Sequence, residues 1–246
     1  MALSKALMPI CNEIFSIPGI LKGPFLMFGY QVFDASGASN EFEYKDVKEL
    51  LVAKGVSEIS TLDYFDERAD LKYDMNLPVP REENEKYNVV FDIGCLEHVF
   101  DTRQCIENCL RMVKVGGAYV LVTAVNGFFG HGLHVLNPVA IRGALESNNF
   151  QVIYLKFSTV YGNIIKDPAR GEDIVIWIVA KKLKSIGKFV IPQQQTSDEP
   201  QNPIDKMSRK QVIAQKLKRL VTVFLRYAWE LLLDIRYGVR QAMLKK

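Results

Sequence analysis

The chain has 246 residues, of which 31 are lysine or arginine and 28 are aspartate or glutamate, giving a formal net charge of +3. With 48% hydrophobic and 24% charged residues, its composition is that of a globular protein and excludes a disordered or collagen-like chain. There is no CxxC pair, no clear secretory signal and no run of about 18 uninterrupted apolar residues, so we expect a cytoplasmic protein without a membrane span.

The hydrophobic pattern predicts strands and helices that alternate along the first three quarters of the chain. Short apolar runs indicate strands buried on both faces, and helical spacing behind a capping residue indicates helices. In chain order, the predicted elements are a helical segment at 1–24, a strand at 25–31, a helix at 46–54, strands at 56–62, 69–74 and 89–93, a helix from 101, a strand at 118–122, a helix from 137 to about 148, and strands at 152–157 and 174–180. Such alternation is typical of an α/β sheet that is mostly parallel.

The clearest unit lies in the middle of the chain. Residues 89–93 are a short apolar run, Asp101 begins a helix, and Gln104 three residues later completes a capping box. The helix is predicted to stop at Gly116 and Gly117 before the next strand. Because parallel strands bring their carboxyl ends to one edge of a sheet, we expect ligands to bind where these strands end.

This unit resembles the second half of class I S-adenosylmethionine-dependent methyltransferases. The resemblance lies in a strand that ends in FD, in Glu97 and His98 behind it, and in VKVGG at 113–117, where the family often has LKPGG. The Gly-His-Gly loop at 130–132 is similar to that of a bacterial subgroup associated with small-molecule or glycan pathways. The resemblance implies a Rossmann-like, mostly parallel seven-stranded sheet with helices on both faces, and S-adenosylmethionine as cofactor.

The segment VVFDIGC looks like the family's glycine-rich first motif but is in the wrong place. Only about two dozen residues separate Asp92 from Gly116, which leaves room for a single helix. Leu96 also stands where a second glycine would be needed. The segment therefore matches the family's fourth strand, and Gly29 is the best candidate for the first motif. The family's further glycines are missing there, unless Gly37 serves after a longer loop.

The resemblance also implies roles for several acidic residues at strand ends. Asp63 would accept hydrogen bonds from the ribose hydroxyls, since a carboxylate offers only acceptors. Asp74 would meet the adenine amine, and Glu97 would hold the cofactor's amino group or orient His98. Each acid could instead serve turn chemistry, which is common for aspartate at strand ends, and Asp92 is expected to be structural. The candidate cofactor-binding residues are Gly29, Tyr30, Gln31, Asp63, Tyr64, Asp74, Met75, Gly94, Cys95 and Glu97.

The three histidines of the chain all lie between residues 97 and 134. His131 and His98 are the candidate catalytic residues, because imidazole is the natural general base near neutral pH. The alternatives are that His98 bonds the backbone at a helix start and that His131 fixes a turn. His131 and His134 could suggest zinc, but a zinc site needs three or four ligands and the sequence shows no third. No metal is therefore expected.

Three functions stay open. The first is a methyltransferase that acts on a small-molecule or glycan-type acceptor by in-line displacement, with the protein aligning the acceptor and the methyl group. The second is a catalytically inactive protein of the same fold that serves as a binding or scaffold module through a basic C-terminal helix. The third, a nicotinamide oxidoreductase, would need the pattern G-x-G-x-x-G after the first strand, and residues 29–37 do not supply it.

The last quarter of the chain differs from the rest. We predict a methyltransferase-like domain over residues 1–182, a proline- and glutamine-rich linker over 183–205 and a helical tail over 206–246. Ser208 and Gln211 form a second capping box. The apolar residues recur at helical spacing and are Ile213, Leu217, Leu220, Phe224, Ala228, Leu231, Ile235 and Val239.

The tail is predicted to be a basic amphipathic helix. Residues 205–246 hold eleven lysine or arginine residues and three acidic ones, a net charge of +8. Two kinds of partner stay open for residues 208–244: an anionic membrane surface, and an apolar protein face on this domain or on another copy of the chain. Nucleic acid is not expected, because the charges are not interleaved with stacking aromatic residues.

Overall fold

The computed structural model describes residues 2–33, 43–166 and 173–193. The strands in this part of the chain are β1 (Ala2–Leu3), β2 (Phe25–Phe28), β3 (Val32–Phe33), β4 (Ile59–Leu62), β5 (Tyr87–Ile93), β6 (Val113–Asn126), β7 (Phe150–Thr159), β8 (Ile164–Ile165) and β9 (Ile174–Lys182). The α-helices are α1 (Met8–Phe15), α2 (Val47–Ala53), α3 (Thr102–Met112) and α4 (Pro138–Ser147). Short 3₁₀ turns cover Lys5–Leu7, Arg81–Glu83 and Leu96–His98.

The main sheet has seven strands within the described residues, in the order β4-β2-β5-β6-β9-β7-β8. Neighbours from β4 to β6 are parallel, whereas β9 runs antiparallel to both β6 and β7, and β8 pairs antiparallel with β7 at the edge. β1 and β3 form a separate parallel pair. The predicted fold class, a mostly parallel Rossmann-like sheet with helices on both faces, is confirmed; the predicted C-terminal helix lies outside the described residues.

The sheet separates two hydrophobic cores. Successive side chains of β2 alternate between them, so that Phe25 and Met27 pack with α1 and α2 on one face, while Leu26 and Phe28 pack with α3 and α4 on the other. This is the layering expected when right-handed crossovers place helices on both faces of a parallel sheet.

Local capping explains where three of the helices begin. The side chain of Asp46 accepts the backbone N–H of Glu49 at the start of α2, and Asn137 accepts that of Val139 at the start of α4. Asp101 likewise accepts the N–H of Gln104 at the start of α3. The predicted capping box at α3 is only half formed, because the backbone N–H of Asp101 donates to the side chain of Asn76.

The predicted third strand at residues 69–74 is wrong. Only Leu71 makes a bridge, to Leu62, and the seventh place in the sheet belongs to β8. The side chain of Asp70 accepts both the backbone N–H and the hydroxyl of Thr61, at 2.8 Å each. The Asp70 carboxylate therefore binds the backbone N–H of Thr61, which a longer strand pairing with β4 would have used. The pairing is limited to the single bridge at Leu71.

The sequence predicted that α3 stops at Gly116 and Gly117, but the helix ends earlier. The helix ends at Met112, and β6 begins at once with an irregular pairing in which Tyr87 lies opposite Val113 but Val89 lies opposite Ala118. Gly117 lies in the resulting bulge, where a Cβ would come within 2.4 Å of the carbonyl oxygen of Asn88. Gly117 is therefore needed for this close backbone approach, and Gly116 for its φ of +83°.

Lys182, the last residue of β9, closes the carboxyl end of α3. Its side chain is 1% exposed, and Nζ donates to the carbonyl oxygens of Leu110 at 3.1 Å and Val113 at 2.7 Å. The same nitrogen lies 3.2 Å from a carboxylate oxygen of Glu85. A buried cation thus satisfies carbonyl groups that the helix leaves without a partner and complements the helix dipole.

We therefore expect Lys182→Met to lower the free energy of unfolding by about 2 kcal/mol, because buried carbonyl groups lose their donor while the apolar stem is kept. Lys181→Met is the matched control, since the neighbouring lysine is exposed and its change should stay within about 0.5 kcal/mol. Urea denaturation of both variants measures the difference. Equal losses would show that Lys182 does not cap the helix.

Residues 183–193, which the sequence assigns to the beginning of the linker, contact α3 and α4. The guanidinium group of Arg111 donates to the carbonyl oxygens of Ile186 and Gly187, and Asn148 exchanges two hydrogen bonds with the backbone of Val190. The rest of the predicted linker and the whole tail lie outside the described residues. In the part of the chain that is described, no helix has both the length and the apolar character needed to cross a membrane.

Candidate functional site

The carboxyl ends of three neighbouring parallel strands meet at one edge of the sheet. Phe28 at the end of β2 pairs with Leu62 on one side and with Asp92 of β5 on the other. The loops that follow are tied to their neighbours, since the N–H of Gly29 donates to the carbonyl oxygen of Leu62 and that of Gly94 to Val122. The predicted candidate residues after β2, β4 and β5 are therefore on adjacent loops.

Asp63 links the loop after β4 to the loop after β2. Its carboxylate accepts the backbone N–H groups of Tyr30, Phe65 and Asp66 at distances of 2.9 to 3.0 Å. Burial alone would raise the pKa of Asp63, but these three donors outweigh it and hold the pKa below its usual value. Tyr64 is exposed beside it. The proposed contact of Asp63 with ribose stays a prediction, and the carboxylate is kept ionised for it.

The side chains of Gln31 and Cys95 fill the space between the ends of β2 and β5. Gln31 is fully buried, and its Nε2 donates to the carbonyl oxygens of Phe28 at 2.9 Å and Ile93 at 3.2 Å. The thiol of Cys95 donates to the same Phe28 oxygen at 3.1 Å. A Cβ on Gly29, where φ is +79°, would come within 2.3 Å of the Cys95 sulfur. Gly29 is therefore required by the protein's own packing.

The side chain of Tyr30 is held on the surface of the same loop. Its hydroxyl donates to the carboxylate of Asp46 at 2.9 Å, and the guanidinium group of Arg68 lies 4.0 Å from the ring centroid. This stacking fixes an aromatic face beside the end of β4.

Asp74 and Met75 have structural partners of their own. The carboxylate of Asp74 accepts both the backbone and the side-chain N–H of Asn76, which in turn accepts the N–H that begins α3. The side chain of Met75 is buried in the core beneath that helix, where Asn108 donates to the Met75 carbonyl oxygen. These contacts correspond to the turn chemistry that was the alternative for Asp74, and the contact with adenine stays a prediction.

Asp92 is fully buried, as a structural role requires. One carboxylate oxygen accepts the N–H of Cys95 and the other accepts the hydroxyl of Tyr119, both at 2.9 Å. Burial, and next the charge of Glu97, raise the pKa of Asp92 to about 7. The carboxyl group therefore titrates close to neutral pH inside the sheet.

Glu97 lies on the 3₁₀ turn that follows β5 and is also fully buried. The hydroxyl of Thr123 donates to its Oε2 at 2.8 Å, whereas Oε1 has no hydrogen-bond partner among the described residues. Burial raises the pKa of Glu97 against the effect of the Thr123 hydrogen bond. Thr123 was not among the residues predicted from the sequence, although a threonine inside the buried run YVLVTAV is a signal that could have identified it.

The Gly-His-Gly loop is fastened to the backbone of Glu97. The N–H groups of Leu133 and His134 donate to the Glu97 carbonyl oxygen at 2.8 and 3.1 Å. Gly132 has a φ of +71°, and a Cβ there would come within 3.1 Å of the same oxygen. The glycine therefore permits the close approach that brings His131 next to the turn after β5.

His131 and His98 lie side by side, with ring centroids 5.1 Å apart and ring planes at 78°. Burial, and next the proximity of His131, lower the pKa of His98. Together with Glu97 they form a group in which one ligand atom from each side chain lies within 4.8 Å of the others. His134 lies outside this group and contacts the carbonyl oxygen of Phe100. The sequence showed no third ligand for a metal site with His131 and His134. In the fold, His131 instead lies with Glu97 and His98, and this group has three candidate ligands.

Comparison of the sequence with known proteins gives no match to a protein-family model and no match to a curated protein. Solved structures of similar fold are found. An S-adenosylmethionine-dependent methyltransferase from Mesorhizobium loti is 13% identical with a TM-score of 0.49, and the alignment covers 72% of this chain and 98% of that one. An S-adenosylmethionine-dependent methyltransferase from Archaeoglobus fulgidus is also 13% identical, with a TM-score of 0.46. That alignment covers 72% of this chain and 95% of the other.

A third similar structure is the 1,6-didemethyltoxoflavin-N1-methyltransferase of Burkholderia thailandensis with bound 1,6-didemethyltoxoflavin and S-adenosylhomocysteine. It is 10% identical with a TM-score of 0.45, and the alignment covers 72% of this chain and 79% of that one. Likeness at this level is one of fold alone, and function has to be argued from the residues at the site.

Proposed function

We propose that the chain is an S-adenosylmethionine-dependent methyltransferase that acts on a small-molecule or glycan-type acceptor in the cytoplasm. The observation that carries the proposal is a set of hydrogen-bond acceptors at the carboxyl ends of β2, β4 and β5. Asp63 offers an ionised carboxylate there, and Gln31 and Glu97 each have a buried oxygen without a donor among the described residues. Open parallel sheets bind their ligands at this edge.

The chemistry of these acceptors fits the cofactor. A buried oxygen without a partner costs about 1 to 3 kcal/mol, which a ligand with N–H or O–H donors would recover. S-Adenosylmethionine has an ammonium group and two ribose hydroxyls, and it supplies an activated methyl group when bound. Glu97 and Gln31 would receive the ammonium group and Asp63 the ribose hydroxyls, with Tyr30, Tyr64, Gly94 and Cys95 around them.

The acceptor side of the site would be formed by His98 and His131. Both rings are exposed beside the buried Glu97, so that an acceptor can reach them from solvent. The lowered pKa of His98 keeps its ring neutral near pH 7, which suits a general base for a hydroxyl acceptor. The glycines on either side of His131 support the assignment to the small-molecule or glycan-type subgroup.

One observation favours a second function, a catalytically inactive binding or scaffold protein. Gln31 and Cys95 occupy the space between the ends of β2 and β5, and Gly29 lacks the further glycines of the family's first motif. In that case the basic tail, with an anionic membrane surface or another protein face as its partner, would carry the function. Cofactor binding separates the two possibilities.

Calorimetric titration of the full chain with S-adenosylmethionine and S-adenosylhomocysteine tests the proposal, with NAD as the control ligand. Micromolar binding of the first two and no binding of NAD is the expected result. It would justify a screen of hydroxyl and amine acceptors by the release of S-adenosylhomocysteine. If neither S-adenosylmethionine nor S-adenosylhomocysteine binds, the proposed methyltransferase activity is contradicted and the scaffold function remains.

We expect Asp63→Asn to weaken the binding of S-adenosylmethionine by about 10-fold or more, which corresponds to about 1.4 kcal/mol. Asparagine keeps one oxygen for the N–H groups of Phe65 and Asp66, but it replaces the oxygen that accepts the N–H of Tyr30 with a donor and removes the charge that strengthens a hydrogen bond from a ribose hydroxyl. Asp66→Asn in the same loop is the control, since its carboxylate pairs with Arg68. Thermal unfolding of both variants reveals damage to the loop. Unchanged affinity in Asp63→Asn would remove this residue from the ribose role.

A further inference from the structure

We propose that Glu97, His98 and His131 form a binding site for a divalent transition-metal ion of the zinc or iron(II) class. Two imidazoles and one carboxylate converge here from two separate parts of the chain, the turn after β5 and the loop after β6. This combination of ligands leaves further coordination positions open, as catalytic metal sites do.

The distances suit an ion with short bonds. The candidate ligand atoms lie within 4.8 Å of one another, so an ion at the centre of a triangle of that size would be about 2.8 Å from each atom. Bonds of zinc to nitrogen and oxygen are about 2.0 to 2.2 Å long. Each ligand atom would thus have to move by less than about 1 Å, which rotation of two exposed histidine rings can supply.

The buried carboxylate points to a ligand independently of the histidines. Glu97 is fully buried, yet its Oε1 has no hydrogen-bond partner among the described residues. Burial of an acceptor in this state is costly unless a cation or donor binds it. The hydroxyl of Thr123 holds the other oxygen at 2.8 Å, and this is the kind of outer-shell hydrogen bond that orients a metal-binding carboxylate.

The backbone places the third ligand. Two N–H groups of the loop, those of Leu133 and His134, donate to the carbonyl oxygen of Glu97, and the N–H of His131 donates to that of Phe128. The loop is thus fixed to the residue that supplies the carboxylate, and His131 is held near it before any ion binds. Preformed positions of this kind reduce the entropy that ordering the ligands would cost.

The ligand types also select the ion. Imidazole suits zinc, iron, copper and nickel, whereas magnesium and calcium prefer sites made of oxygen atoms alone. We therefore expect Zn²⁺ and Fe²⁺ to bind and Mg²⁺ and Ca²⁺ not to bind. The exposed rings leave the outer side of the ion open to water or to an oxygen atom of an acceptor, whose pKa the ion would lower.

The test is a calorimetric titration with Zn²⁺. The full, tag-free chain is first treated with a chelator to remove any bound metal. Tight binding of one ion per chain is expected, and replacement by Co²⁺ should give the visible absorption of a bound ion. His131→Ala should weaken Zn²⁺ binding by more than about 100-fold, which exceeds the loss of an outer-shell partner. His134→Ala is the matched control, because it removes a half-buried histidine three residues away that lies outside the group.

Each outcome decides the proposal. Loss of binding in His131→Ala, with His134→Ala unchanged and both variants folded by thermal unfolding, supports the site. Equal affinity in the two variants, or absence of Zn²⁺ binding to the unaltered chain, overturns it. The titration contains no S-adenosylmethionine, so its result does not depend on methyl transfer. A bound ion would occupy Oε1 of Glu97 and the two imidazoles, so Gln31 would then receive the cofactor's ammonium group and the ion would take the place of the general base.

Discussion

Replacing Gly29 with alanine is expected to lower the free energy of unfolding by about 3 kcal/mol. The residue has a φ of +79°, and a new Cβ would come within 2.3 Å of the Cys95 sulfur and 3.1 Å of the Gln31 Nε2. An L-residue in this backbone conformation costs about 1 kcal/mol, and overpacking of a filled site costs about 1 to 3 kcal/mol more. Urea denaturation of the variant measures the sum.

A second background separates the two costs. In Cys95→Ala the sulfur is gone, and the nearest remaining atom of residue 95 would be its Cβ at 3.9 Å, an ordinary contact. Gly29→Ala should then cost about 1 to 2 kcal/mol, from the backbone conformation and the remaining 3.1 Å approach to the Gln31 Nε2, so the double-mutant cycle should give a coupling energy of about 1 to 2 kcal/mol. If Gly29→Ala costs the same in both backgrounds, the thiol is not the reason for a glycine here.

The same pair of variants bears on the cofactor. If Gly29 serves only to accommodate Cys95, the double variant should bind S-adenosylmethionine as tightly as Cys95→Ala does. If the glycine also permits a close approach of the cofactor, affinity should fall although stability has been recovered. The comparison thus distinguishes a glycine required by packing from one required by a ligand.

Much of the fold could be predicted because it depends on local signals. The apolar run at 89–93 and the capping residues Asp46 and Asn137 determine their elements within a few residues of sequence. The third strand could not be predicted correctly, because its pairing is cut short by a contact between Asp70 and Thr61 that the hydrophobic pattern does not contain.

The candidate site shows the same limit. The sequence identified His98, Glu97 and His131 one by one, but their grouping depends on two hydrogen bonds from the loop to a single carbonyl oxygen. Spacing along the chain suggested only His134 as a companion of His131 at a metal site, and because no third ligand was evident, no metal was expected. In the fold the loop turns at Gly132, so the contact is made with residues more than thirty positions earlier.

Stability should depend on pH through Asp92. The pKa of this carboxyl group is raised to about 7 in the folded chain, by burial and next by Glu97, whereas in an unfolded chain it is about 3.9. Between these values the folded state binds more protons than the unfolded state, so stability falls as the pH rises. The other titratable groups around it are Cys95, Cys105 and Tyr119.

The variant Asp92→Asn has no charge to bury and can keep both hydrogen bonds, because its oxygen can accept from Cys95 and its amide can donate to the hydroxyl of Tyr119. We expect its stability relative to the unaltered chain to increase by about 1.4 kcal/mol per pH unit between about pH 4 and 7, and to level off above. Urea denaturation at several pH values, in the presence of a chelator, measures this difference.

A second variant, Tyr119→Phe, tests whether the pKa of Asp92 causes this pH dependence. The hydroxyl of Tyr119 stabilises the ionised form of Asp92, so Tyr119→Phe should raise the pKa further and extend the loss of stability to higher pH. A constant difference between Asp92→Asn and the unaltered chain at every pH would mean that Asp92 ionises as it does in water. In that case neither burial nor the nearby Glu97 would disfavour the ionised form of Asp92, and both carboxyl groups could be charged at neutral pH.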